Sequence, residues 1–101
     1  MTKKVKLTRW DAADDINSIE DVIAHLEAAF EDGDTAEIAA MLGIVARSQG
    51  MAQIAEKTGL SREHLYKSLS EAGNPTLETL VRVLGSLGLR LAVVEREPEA
   101  A

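Results

Sequence analysis

The sequence predicts a mainly α fold: five helices in one domain of 101 residues, with short β-strands near its two ends. Three observations predict it. Apolar residues recur at three- and four-residue spacing in successive stretches between Ile19 and Leu87, the period of helices that bury one face. Ser, Asp, Thr and Gly stand between those stretches where helices start and stop. The composition is rich in aliphatic residues, with 3% aromatics and two prolines, which favours helix. Residues 1–18 read as an N-terminal arm, 19–88 as the helical domain, 89–95 as a C-terminal strand and 96–101 as a flexible tail.

Lys4-Val5-Lys6-Leu7-Thr8 alternates polar and apolar, which predicts a short strand over 4–8. Trp10 then anchors the arm on the body. Ser18 is placed to cap the first helix, with Asp21 three residues on in a box-like arrangement. Its apolar stripe is Ile19, Val22, Ile23, Leu26 and Phe30, and Gly33 ends it. Asp34 caps the second helix, with Glu37 three residues on. Ile38, Met41, Leu42, Val45 and Ala46 form its buried face, and Gly50 stops it.

The third and fourth helices form a predicted helix-turn-helix over 51–69. One short helix runs from Met51 to about Lys57. Gly59 supplies the tight turn, and Ser61 caps a second short helix that ends near Leu69. Ile54, Ala55, Leu60, Leu65 and Leu69 hold the two at a steep angle. Pro75 disfavours helical geometry at Asn74, so Glu71–Pro75 is a loop. Thr76 caps a fifth helix with the stripe Leu77, Leu80, Val81, Leu84 and Leu87, ended by Gly88. The run from Leu89 to Glu95 then reads as a strand. A strand needs a partner for its backbone groups. Two are available: residues 4–8, or the same strand in a second subunit.

The net charge of −6 is unevenly spread. Lys3, Lys4, Lys6 and Arg9 precede a segment, 11–37, with ten acids and no Lys or Arg. From Arg47 to Arg90, six bases face four acids. The acids either solvate helix faces or meet a basic partner. There is no cysteine, which excludes disulfides and thiolate metal sites. No apolar run approaches the roughly 20 residues of a membrane helix, and the basic N-terminus lacks a signal-peptide core. A cytoplasmic location is expected. His25 and His64 stand beside no serine nucleophile motif, and no glycine-rich phosphate loop or EF-hand spacing occurs. Catalysis, cofactors and metals are not expected.

The fourth helix turns a polar set outward that suits a DNA major groove. Ser61 opens it. Arg62 suits guanine O6 and N7, and Glu63 suits cytosine N4. His64 and Lys67 reach a base or a phosphate, and Tyr66 either joins them or rests its ring on the core. Gln53, Asn74 and Thr76 sit near helix starts, where free N–H groups favour phosphate.

The run Ile54-Ala55-Glu56-Lys57-Thr58-Gly59-Leu60-Ser61-Arg62-Glu63-His64-Leu65-Tyr66-Lys67 carries a family likeness. So do Leu69-Ser70, Gly73-Asn74-Pro75-Thr76-Leu77, and Leu87-Gly88-Leu89 before an apolar strand. With the acidic helix ending at Glu31-Asp32-Gly33-Asp34, they make the whole chain resemble the addiction-module antidote family. Its relatives are the HigA-type antitoxins, within the Cro/repressor-like (XRE) helix-turn-helix group. The resemblance implies a repressor-like fold and a type II toxin-antitoxin module. The chain would neutralise a small basic toxin of the RelE/ParE kind and repress its own operon, as a homodimer on double-stranded operator DNA. Trp10, Asp14, Asp15, Glu20, Glu27 and Glu31 are the candidates for the toxin contact. The competing reading is a stand-alone, phage-like repressor with no toxin.

Overall fold

The computed structural model of the chain describes residues 16–97. Five helices follow one another: α1 (Ile19–Asp32), α2 (Thr35–Gln49), α3 (Met51–Thr58), α4 (Arg62–Ser68) and α5 (Leu77–Ser86). Each boundary has a local chemical cause. Ser18 Oγ accepts from the Asp21 N–H at 3.2 Å, while an Asp21 carboxylate oxygen accepts from the Asn17 N–H at 3.0 Å. The reciprocal box therefore closes one residue earlier than in the usual pattern. Gly33 takes a left-handed φ of 80° and its N–H bonds the Ala29 carbonyl, which stops α1. Asp34 Oδ1 accepts from the Ala36 and Glu37 N–H groups and starts α2.

α2 lies at the centre. It packs on α1, α3 and α4, and α3 in turn packs on α4 and α5. Leu42, Val45 and Ala46 of α2 are fully buried against Val22 and Leu26 of α1, Ile54 of α3, Leu65 and Leu69 around α4, and Val83 and Leu84 of α5. Burying the Val, Leu and Ile side chains among them stabilises by about 1.5–3 kcal/mol each. Gly43, in the middle of α2, is buried as well. A Cβ there would run into the carbonyl oxygen of Leu69, so the backbones of α2 and the end of α4 approach as closely as only glycine permits.

Three expectations need correction. In α1, Ala29 is buried while Ile19 and Ile23 are exposed. The reason is that α1 has α2 as its main partner, and one partner covers only a narrow stripe. In α5 the buried residues are Thr79, Val83 and Leu84, whereas Leu77 is 69% and Val81 50% exposed. Thr79 takes an inner position because its hydroxyl is satisfied locally, by Thr76 at 3.1 Å. The expected strand over 89–95 is absent among the described residues. Leu89 closes on α5 through its N–H to the Leu84 carbonyl at 2.8 Å, and from Arg90 to Glu97 the chain is exposed without regular structure. Among the described residues no second strand stands beside it to form a ladder. The expected strand over 4–8 and the Trp10 anchor lie outside the described residues.

Candidate nucleic-acid interface

The turn between α3 and α4 is held from three sides. Gly59 adopts φ 79°, and its N–H bonds the Ala55 carbonyl at 2.9 Å. No atom lies within 4 Å of a Cβ built there, so it is backbone conformation and not space that calls for glycine. Thr58 is buried; its hydroxyl donates to the Ile54 carbonyl at 2.7 Å and accepts from the Leu60 N–H at 3.2 Å. Arg82 reaches across from α5 and donates to the Thr58 carbonyl at 3.2 Å, steadied by Glu78 at 2.8 Å. Sequence reading missed Arg82 because its partner, the Thr58 carbonyl, lies 24 residues away, and missed Thr58 although its partners Ile54 and Leu60 are local, because a threonine at a helix end also reads as a solvated residue. Gly43 carried a readable signal, since a glycine inside a helical pattern implies a packing reason.

α4 is anchored by buried Leu65, with Leu69 just beyond its end. Ser61 Oγ accepts from the His64 N–H at 3.0 Å and starts the helix. Ser68 and Ser70 hydroxyls donate to the carbonyls of His64 and Lys67, covering acceptors that the short helix leaves open. Arg62, Glu63, Tyr66 and Lys67 are all exposed, at spacing that gathers them on the outer side of α4. Tyr66 is 51% exposed, so its ring is shared between core and solvent. His64 is exposed too, but its Nε2 lies 3.4 Å from Thr79 Oγ1, linking the start of α4 to the start of α5.

Gln53 is exposed on the first turn of α3, a turn that no side chain caps because Gly50 precedes it. Asn74 is exposed in the loop before α5. Thr76 is also exposed, but its hydroxyl is engaged: it accepts from the Thr79 N–H and donates to Thr79 Oγ1, both at 3.1 Å. Thr76 is therefore a helix cap first, and only its backbone is open to an anion.

The acidic residues form a separate surface. Glu20, Glu27 and Glu31 are exposed along α1 at spacings of seven and four residues, on one face. Asp14 and Asp15, like Trp10, lie outside the described residues. At the junction of α1 and α2, Asp32, Asp34 and Glu37 converge with Glu71. The hydrogen bond and negative charge of Asp32 raise the Glu37 carboxyl above its ordinary value, and Asp34 and Glu71 add to the effect. The closeness of Glu71 is a tertiary fact that spacing along the chain did not reveal. His25, on the same helix, is half-buried, with Nδ1 donating to the Asp21 carbonyl at 2.8 Å. No helix among the described residues is long and apolar enough to cross a membrane.

Residues 6–95 match a family model described as a probable addiction module antidote protein. An uncharacterized protein of Haemophilus influenzae is 38% identical over 93 residues, covering 92% of this chain and 94% of its own length. No solved structure matches.

Proposed function

The chain belongs to the addiction-module antidote family, and from that premise we propose that it neutralises a small basic toxin by direct binding and represses its own operon as a homodimer on DNA. The toxin is of the RelE/ParE kind and docks on the acidic face of α1, where Glu20, Glu27 and Glu31 line up. α4 enters the major groove. Arg62 pairs with guanine, Glu63 accepts from cytosine, and Tyr66 and Lys67 contact the bases or backbone beside them. Gln53, Asn74 and the first turns of α3 and α5 meet phosphates, which set position but not sequence. His64 positions α4 through Thr79 more than it reads DNA.

The observation that carries this reading is the outer face of α4. Four polar, unburied side chains stand on a seven-residue helix whose entry and exit are both fixed by hydrogen bonds. A face held this firmly and left unused inside the fold suits recognition of an external ligand.

The acids add a coupling. The ten carboxylates of 11–37 repel DNA phosphates when no partner covers them. A basic toxin on α1 removes that repulsion and tightens operator binding.

The test is a titration of the DNA upstream of the gene, against random DNA, at low salt, with and without the partner protein. Selective binding that tightens in the complex is expected. Equal affinity for cognate and random DNA contradicts the DNA reading, and a complex that binds no better than free protein contradicts the coupling.

A further inference from the structure

We propose that Leu89–Glu95 is the dimer interface: it pairs with the same segment of a second copy as antiparallel strands about a two-fold axis at Ala92. This rests on the homodimer reading above and names the surface that makes it.

Five of the seven residues are apolar: Leu89, Leu91, Ala92, Val93 and Val94. Val93 is 100% and Val94 82% exposed. In extended chain they point to opposite faces, so a strand here carries apolar side chains on both sides. That pattern belongs to a strand covered in an assembly rather than to a solvated tail. The segment leaves the body at Leu89, whose N–H is tied to α5, and from Arg90 on it is exposed among the described residues.

Self-pairing also selects one register. A two-fold axis through an antiparallel ladder sets each residue against one of equal parity, so a single residue faces its own copy. With Ala92 at the axis as a hydrogen-bonded pair, all seven residues stand opposite one another, and the Leu89 N–H, bonded to the Leu84 carbonyl, falls at a non-hydrogen-bonded position of the ladder. Leu91 opposes Val93, Arg90 opposes Val94, and Leu89 opposes Glu95; no like charges meet. With Val93 at the axis, Arg90 opposes Arg96, and with Glu95 at the axis two glutamates meet, which like-charge repulsion disfavours. With Val94 at the axis, Leu91, Ala92 and Val93 each face a charge. With Leu91 at the axis, the ladder needs Leu87 and Gly88, whose N–H groups are already bonded to α5 carbonyls.

The chain has no cysteine, so single cysteines report the register cleanly. Directly opposed residues have Cβ atoms about 4.5–5.5 Å apart, which a small adjustment of the strands brings to the roughly 3.5–4.5 Å of a disulfide. In the Ala92 register, residues 91 and 94 are displaced from their own copies by two and four positions, about 7 and 13 Å along the strand. The full chain carrying Ala92→Cys is therefore expected to cross-link at least ten-fold more efficiently than Leu91→Cys or Val94→Cys. Val93→Asp, at a position fully exposed in the single chain, is expected to leave the helical circular dichroism of the folded chain unchanged, to weaken the dimer at least ten-fold by analytical ultracentrifugation, and to remove the concentration dependence of the melting temperature.

A dimer that cross-links as well at 91 or 94 as at 92, or that tolerates Val93→Asp, overturns the interface and leaves the dimer reading standing. A full chain that stays monomeric at tens of micromolar overturns both, and points to a ladder within one chain.

Discussion

Replacing Gly43 by Ala tests whether the close approach of α2 to the end of α4 is real. In an open helix interior this substitution stabilises by about 1 kcal/mol, because glycine loses more backbone freedom on folding. Here the new Cβ would overlap the Leu69 carbonyl oxygen, a backbone atom that no side-chain rotation moves aside. Overpacking of this kind costs about 1–3 kcal/mol. Taken at the upper end, because the obstacle is backbone, it leaves a net loss of about 1–2 kcal/mol after the helix gain. For a domain of this size that lowers the melting temperature by roughly 5–15 °C. Gly85 of α5 is the internal control: it is exposed and has nothing within 4 Å of a built Cβ. Gly85→Ala is expected to gain up to about 1 kcal/mol. The assay is thermal and urea unfolding of both variants beside the wild type, followed by circular dichroism. Opposite signs are predicted. A Gly43→Ala protein as stable as the wild type would refute the packing of α2 on α4 and, with it, the placement of the outer face of α4.

Three further outcomes follow from the same geometry. Thr58→Val keeps the shape but removes the hydroxyl that serves the Ile54 carbonyl and the Leu60 N–H, and is expected to cost about 1–3 kcal/mol in urea unfolding; an unchanged midpoint counts against the turn as drawn. Arg62→Ala should lose about 1–3 kcal/mol on the cognate operator and relax selection at one base pair, whereas Gln53→Ala should weaken all sequences alike; equal losses on cognate and random DNA for Arg62→Ala would remove it as a base reader. Glu37 has a folded-state pKa raised by Asp32, so folded protein holds its proton more firmly than unfolded protein does. Its contribution is present below the ordinary glutamate value of 4.5 and is lost as pH rises through the raised value. Glu37→Gln should flatten that slope of stability against pH; a slope the same in both proteins would disprove the crowding of acids at this junction.

The helix boundaries were readable because they are local chemistry. Ser18, Asp34, Ser61 and Thr76 cap helices with their own side chains, and Gly33 and Gly59 turn left-handed within the residues that spacing marks. The exposure of Arg62, Glu63 and Lys67 was readable for a related reason: in a short helix anchored by Leu65, the remaining positions face out. Hydrophobic period failed where a polar group is satisfied inside or an apolar one has no neighbour. Thr79 displaced Leu77 and Val81 from the core of α5 because Thr76 satisfies its hydroxyl. Gly43 and Arg82 act through Leu69 and Thr58, far along the chain, and Thr58 through its hydroxyl to Ile54 and Leu60, by contacts that no alternation of apolar and polar residues records. The run from Leu89 to Glu95 has the composition of a strand, but a ladder is a property of two segments, and one chain's described residues supply one.

An antidote is defined by the toxin it holds. Tagged protein purified gently from its own cells, with the co-purifying protein identified by mass spectrometry and weighed against it, is the first measurement to make. A small basic protein encoded beside it, present in equal amount and arresting growth when expressed alone, is the predicted result. Chain recovered by itself, with operator DNA bound and no second protein, would contradict the antidote reading and leave a stand-alone repressor.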